Sequence, residues 1–322
     1  MKNIFLHLRL PFSFFLLPIF LFALSQSLQP NAPKAWWVFF ILHFLLFPSS
    51  NAYNSYYDKD EGSIGLLENP PPVSKELLYT AWIFDFAAIT LGFLFVTNWF
   101  LVYLVAYILI SRAYSHPVVR LKKYPIVSWL LVTFFQGALT YLAVYEAVSG
   151  GTLDAGHSTL DVGQWTVDSG RWTLDAGRWA LDSSPFSNVQ RLISNVQTIP
   201  ALICTSNLLA IYPITQVYQH AEDARRGDLT MSRILGIRGT FINAAVWLGL
   251  SGLGFLLFFE NKLHFVVLAA FLLPLLAFFS VWMWRVWQNE TAADFRSTMR
   301  MSALASVCLN AFFGILYFLN HT

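Results

Sequence analysis

Charge is what this chain has least of. Asp, Glu, Lys and Arg make up 12% of its 322 residues, against 56% hydrophobic ones, and mean hydropathy is +0.54. A soluble domain carries roughly a quarter charged residues because its surface must face water. A chain this poor in charge places most of its surface in lipid. Cysteine is nearly absent too. Cys204 and Cys308 both lie inside apolar runs and neither has a CxxC partner, which excludes a disulfide framework and leaves them as small packing residues. Alternating apolar and polar residues are missing: Phe14-Phe15-Leu16-Leu17 is apolar on every face, which excludes a transmembrane barrel. The net charge of +2 gives no reason to expect a nucleic-acid partner. Apart from Asp85, the centres of the apolar runs hold almost no ionisable residue.

What the sequence does have is long apolar runs. They cover approximately residues 10–29, 35–51, 76–96, 98–113, 125–148, 196–217, 236–258, 263–284 and 301–319, each near the roughly 20 residues that a helix needs to cross a bilayer. The expectation is an all-α, polytopic membrane protein of about nine transmembrane helices in one bundle spanning residues 1–322. The basic residues orient it. With a cytoplasmic N-terminus, Lys2, Arg9, Lys59, Lys75, Arg112, Arg120, Lys122 and Lys123 fall on the cytoplasmic side. So do Arg225, Arg226, Arg233, Arg238, Arg285, Arg296 and Arg300. Lys34, Arg171, Arg178, Arg191 and Lys262 fall opposite, a bias that follows the positive-inside rule. Lys2 and Arg9 before an apolar stretch ending in Ala23-Leu24-Ser25 also resemble a signal peptide. Cleavage there would leave the orientation of the later loops unchanged.

Residues 152–186 repeat a heptapeptide: TLDAGHS, TLDVGQW, TVDSGRW, TLDAGRW, ALDSSPF. Coiled coil is excluded, because four copies carry a Gly that costs about 1 kcal/mol in a helix and the apolar residues cluster instead of spacing as a and d. The segment reads as a tandem duplication inside an extracytoplasmic loop over 150–190, with Trp165, Trp172 and Trp179 suited to the membrane interface.

Polar residues concentrate after two helices. Asn51 to Gly62 includes Asn54, Asp58, Asp60 and Glu61, and Gln216 to Asp228 includes Gln219, Glu222, Asp223 and Asp228. Both fall on the cytoplasmic side. Asn54 and Asp58 are four apart and share a helix face, and Gln219 and Asp223 repeat that spacing. Two such halves meeting across a cavity suit Mg²⁺, a hard cation held by one or two carboxylates, waters and substrate phosphates. Asp58, Asp60, Gln219, Asp223 and Asp228 are the candidate metal residues. A third cluster, Tyr114-Ser115-His116 with Arg120, Lys122 and Lys123, closes the fourth run on the same side, where cations would hold diphosphate oxygens. The bland alternatives are solvated acidic loops and simple topology signals.

These clusters resemble the UbiA superfamily of intramembrane prenyltransferases, which carry NDxxDxxxD after the second helix, DxxxDxxxG with a following Thr after the sixth, and a Tyr-Ser…Arg…Lys stretch after the fourth. Asn54 and Asp58 match the first motif, Asp223, Gly227 and Thr230 the second, Tyr114, Ser115, Arg120 and Lys122 the third. Leu10-Pro11-Phe12 is similar to the family's opening. Ser55, Gly62 and Gln219 stand where the family usually has Asp, and Asn69-Pro70-Pro71-Pro72 lacks the usual basic residue. The resemblance implies Mg²⁺-dependent transfer of a prenyl group from a polyprenyl diphosphate to a lipophilic acceptor, commonly an aromatic ring or quinone precursor, in a multi-pass cell-membrane protein. It makes Asp58, Asp223 and Tyr114 catalytic candidates and Asn54, Ser115, Arg120 and Lys122 diphosphate-binding ones. The rival readings are a secondary transporter, in which Pro213 would interrupt a helix beside a transport path, and an inactive scaffold with eroded motifs.

Overall fold

The computed structural model describes residues 2–149, 165–168, 171–174 and 197–321. Nine helical units account for nearly all of them. The first, α1, is broken: Lys2–Phe15 and Leu17–Gln26 meet at 41°. The break has local causes, since Arg9 adopts a left-handed φ of 47° and Leu10–Phe15 winds as a 3₁₀ segment between Pro11 and Pro18. Next come α2 (Ala32–Asp58), α3 (Lys75–Phe95), α4 (Asn98–Ser115), α5 (Pro125–Val148) and α6 (Thr198–Arg226). Then α7 (Met231–Phe258), α8 (Lys262–Gln288) and α9 (Phe295–His321) complete the bundle.

Side-chain caps mark two helix starts. Asn31 accepts the Lys34 amide at 3.0 Å and Thr97 that of Phe100 at 3.2 Å, each satisfying an orphan donor of a first turn. Among the described residues, α2, α3 and α5 to α9 are long and apolar enough to cross a membrane, and α1 is an eighth if its halves form one span. The 18-residue α4 does not reach that standard; it carries Asn98, Ser111 and Arg112, and its hydroxyls and Arg112 turn inward. Seven or eight of the nine described helical units thus meet that standard by length and composition, where the apolar runs predict about nine spans.

Each helix packs on its neighbour in sequence and α9 returns to pack on α1, so the bundle closes into a ring, with α1 also touching α5. Lipid supplies no hydrophobic drive between helices, so association depends on close packing and hydrogen bonds. The α5–α6 contact shows both. Gly137 faces Thr205, whose Cα would lie 2.8 Å from an added Cβ, and the Thr205 hydroxyl accepts the Ala138 amide at 3.1 Å. That amide is available because α5 winds as a π-turn at Phe135–Leu139. Phe22 of α1 stacks on Phe313 of α9 at 4.5 Å and touches Tyr141 and Phe255, tying four helices together at the end opposite the acidic clusters. Outside the ring, Phe86, Leu257 and Leu273 point away from the protein.

Within the repeat, Trp165–Asp168 pairs antiparallel with Arg171–Leu174, so part of it forms a short hairpin where no element was expected. The rest of the 150–190 insert, and the interfacial role of its tryptophans, lie outside the described residues.

Candidate functional site

The broken α1, the C-terminal ends of α2, α4 and α6, and the loops that follow them converge on one cavity of about 260 Å³. Both acidic clusters open into it. Asn54 and Asp58 reach it from the last turns of α2, as their spacing predicts, and the Asn54 amide donates to Asp58 Oδ2 at 2.6 Å and to Ser115 Oγ at 2.9 Å. Lys59 then leaves the helix in a left-handed conformation (φ 50°), swinging Asp60 back toward the same space. From the other side come Gln219 and Asp223. They do not share one regular helix: α6 is α-helical to Ile214, 3₁₀ at Val217–Gln219 and α-helical again over His220–Arg226. Gln219 Nε2 accordingly turns to the Ser63 carbonyl at 3.1 Å, while Asp223 faces the cavity.

The cations of the third cluster cross between the halves. Lys122 donates to Asp58 at 2.7 Å and lies 3.4 Å from Asp228, so it bridges the first and second motifs. Arg120, with a left-handed φ of 41°, forms a fork to both oxygens of Asp228 at 2.8 and 3.0 Å. Asp223 makes no ion pair among the described residues and accepts only the Thr230 hydroxyl at 3.3 Å, leaving most of its lone pairs available. Tyr114 O–H is hydrogen-bonded to Tyr212 O–H at 2.7 Å. Burial, with the charge of Asp58 next, pushes the Asp60 carboxyl up to about 6 against the opposing pull of Arg226. The predicted residues Asn54, Asp58, Asp60, Tyr114, Ser115, Lys122, Gln219, Asp223 and Asp228 thus line one cavity, with Arg120 immediately behind Asp228.

Three contributors escaped the sequence. Arg9, counted only as a topological charge, is buried beside the cavity with its guanidinium 5.5 Å over the Phe12 ring, and its Nε has no partner. Arg226 grips the first acidic loop, donating to the Asp58 carbonyl at 2.6 Å, the Lys59 carbonyl at 3.0 Å and the Asp60 carboxylate at 2.6 Å. Glu222 accepts the Glu61 amide at 3.1 Å and pairs with Arg226 at 2.7 Å. The sequence signals for the last two were the place of Glu222 in the second acidic cluster and their i,i+4 spacing.

Among the described residues no three His, Cys, Asp or Glu side chains form a ready metal cluster. The donor set nonetheless suits Mg²⁺. The cavity offers carboxylate and amide oxygens and no thiol, and Mg²⁺ characteristically takes only one or two protein carboxylates beside water and phosphate oxygens.

Asp85 is accounted for separately. It pairs with Arg112 and accepts the Ser49 hydroxyl at 2.6 Å, and the Arg112 guanidinium lies 4.1 Å over the Tyr53 ring. This buried pair joins α2, α3 and α4 beneath the cavity.

A ring of apolar helices, long enough in most cases to cross a bilayer, around an acidic and basic cavity at one end is the architecture of an integral membrane protein with a polar site. The sequence matches the UbiA prenyltransferase family over residues 15–304, and the chain belongs to that family: it is a prenyltransferase. No curated protein matches it significantly. Among solved structures it is similar to a UbiA homologue from Archaeoglobus fulgidus bound to GPP and Mg²⁺ (14% identity, 97% of this chain and 99% of that one, TM-score 0.55). The same homologue bound to DMAPP and Mg²⁺ gives 13% identity over 96% and 98%, with a TM-score of 0.57. A structure of digeranylgeranylglyceryl phosphate synthase gives 14% over 97% and 96%, with a TM-score of 0.55. At such identities the likeness establishes the fold.

Proposed function

We propose that the protein transfers a prenyl group from a polyprenyl diphosphate to a lipophilic acceptor inside the membrane, with Mg²⁺ as cofactor. The observation that carries this reading is the convergence of both acidic motifs and the Lys122 bridge on one cavity at the helix ends. The similar A. fulgidus homologue is bound to prenyl diphosphates together with Mg²⁺, which supports the donor class and the metal.

In this reading Asp58, Asp60, Gln219, Asp223 and Asp228 would hold one or two Mg²⁺ ions, which would supply the positive charge that balances a departing diphosphate and eases cleavage of the allylic C–O bond. Lys122, now bound to Asp58 and Asp228, turns its charge to diphosphate oxygens, with Arg120, Ser115 and Asn54 completing the grip. Arg9, buried with an unpartnered donor, adds positive charge at the apolar edge of the same space. Tyr114 and Tyr212 present ring faces to an allylic cation, whose positive charge is attracted by aromatic quadrupoles, and the surrounding helices exclude water from it. The acceptor enters from the lipid, and the site faces the cytoplasm as the basic loops indicate. The transporter reading draws no support from Asp85, whose charge is paired with Arg112 inside the bundle.

The deciding experiment incubates purified protein with labelled prenyl diphosphates and a panel of lipophilic acceptors, with Mg²⁺ or with chelator. Expected are a prenylated lipid and stoichiometric diphosphate, both lost on chelation. Diphosphate release that persists without metal, or no transfer to any acceptor class, would overturn the proposal.

A further inference from the structure

The first acidic loop lacks a carboxylate at Gly62, where the family motif usually ends in Asp. The space such a side chain would use is already filled. A Cβ on Gly62 would overlap Glu222 Oε2 and come within 3.1 Å of Glu222 Cδ. The Glu222 carboxylate therefore sits where the first loop's own last acidic side chain would begin, delivered from the opposite half of the site. Its position is built, not incidental: it accepts the Glu61 amide at 3.1 Å and is held by Arg226 at 2.7 Å. Arg226 in turn binds Asp60 and the carbonyls of Asp58 and Lys59. Glu222 and Asp60 thus share one guanidinium and line the same cavity. A Cβ at position 62 would require the Glu222 carboxylate to move aside, so the two side chains compete for one space.

We infer that Glu222 is the missing acidic residue of the first motif, supplied in exchange for Gly62, and that it serves with Asp60 as a ligand-side carboxylate toward the divalent cation. The inference rests on the proposed metal-dependent reading. Glu222 lies one position before Asp223, so a single turn of α6 contributes carboxylates to both halves. The exchange also explains why the loss at Gly62 leaves the site acidic.

The test is Mn²⁺ binding to the full-length protein in detergent, measured by electron paramagnetic resonance with inorganic diphosphate present, beside metal-free thermal unfolding. Glu222→Gln keeps an oxygen for the Glu61 amide but removes the charge. Its Mn²⁺ affinity is expected to fall roughly tenfold or more, the scale on which metal sites respond to loss of a supporting group, with metal-free unfolding little changed. Gly62→Asp combined with Glu222→Ala, which returns the carboxylate to the first loop, should recover most of the lost affinity. Unchanged affinity in Glu222→Gln, or a loss that the double variant does not recover, overturns the inference and leaves Glu222 as a docking contact. A parent protein that binds no Mn²⁺ under these conditions overturns the metal-dependent reading itself, and this inference with it.

Discussion

Asp58 and Asp223 play unequal parts in the resting site, and that inequality sets what their substitution does. Asp58 is engaged by Lys122 and Asn54, whereas Asp223 meets only a hydroxyl. Replacing either by Asn removes a charge opposite the departing diphosphate, so turnover is expected to fall on the order of a hundredfold or more, the scale of losing one preorganised electrostatic contact. The change at 58 additionally frees Lys122 from one of its two carboxylates, so Asp58→Asn should also alter the salt dependence of donor binding. Diphosphate release by each variant at varied Mg²⁺ and ionic strength checks both statements; parental turnover in Asp58→Asn would contradict them. A second residue-scale expectation concerns Asp85 and Arg112. Arg112→Leu strands a buried carboxylate, which costs about 3–5 kcal/mol when one partner of a buried pair is removed. Asp85→Leu with Arg112→Leu should cost clearly less, since no charge is left unpaired. Thermal unfolding of the two variants in detergent separates these outcomes.

At the scale of the element, the end of α6 does the most with the fewest residues. His220–Arg226 is a helix of only two turns, yet it carries Glu222, Asp223 and Arg226 toward the cavity. It is stopped by Gly227 in the left-handed region (φ 69°), whose successor's amide returns to the Asp223 carbonyl at 2.9 Å. Gly227→Ala meets no neighbour within 4 Å, so its penalty is conformational, about 1–2 kcal/mol for an L-residue held there. Because the cap orients Asp223 and Asp228, the expected signature is weaker apparent Mg²⁺ affinity together with a small drop in unfolding temperature. A stability loss with an unshifted Mg²⁺ titration would show that the cap does not reach the site.

For the molecule as a whole, the question is whether the heptapeptide insert belongs to the machine. The helices it connects are already held together without it. The Trp129 indole donates to the Leu209 carbonyl at 3.2 Å, Thr205 accepts the Ala138 amide, and the Tyr141 hydroxyl donates to Gln197 at 2.5 Å. These contacts run along α5 and α6. Shortening a loop changes its closure entropy only slowly with length. Deletion of 152–186 is therefore expected to leave a monodisperse protein with parental turnover, measured by size-exclusion chromatography and diphosphate release. An aggregated product would assign the repeat a structural role.

The sequence by itself determined the all-helical membrane class and nominated candidates for the site, because lipid forces apolar runs and makes every polar cluster conspicuous. Asn54, Asp58, Lys122 and Asp223 could be named as candidates from the polar clusters and the family resemblance, and helical periodicity places Asn54 and Asp58 on one face. Tertiary structure decided the rest. That Lys122 joins Asp58 to Asp228, that Arg112 cancels Asp85, that Arg9 reaches the cavity and that Glu222 fills the space at Gly62 are contacts between residues 27 to 160 positions apart or across a broken helix. No local periodicity encodes them. In α4 a run apolar enough to form a helix turns its hydroxyls and Arg112 inward. Only the packed ring sets which face of a helix meets lipid and which meets another charge.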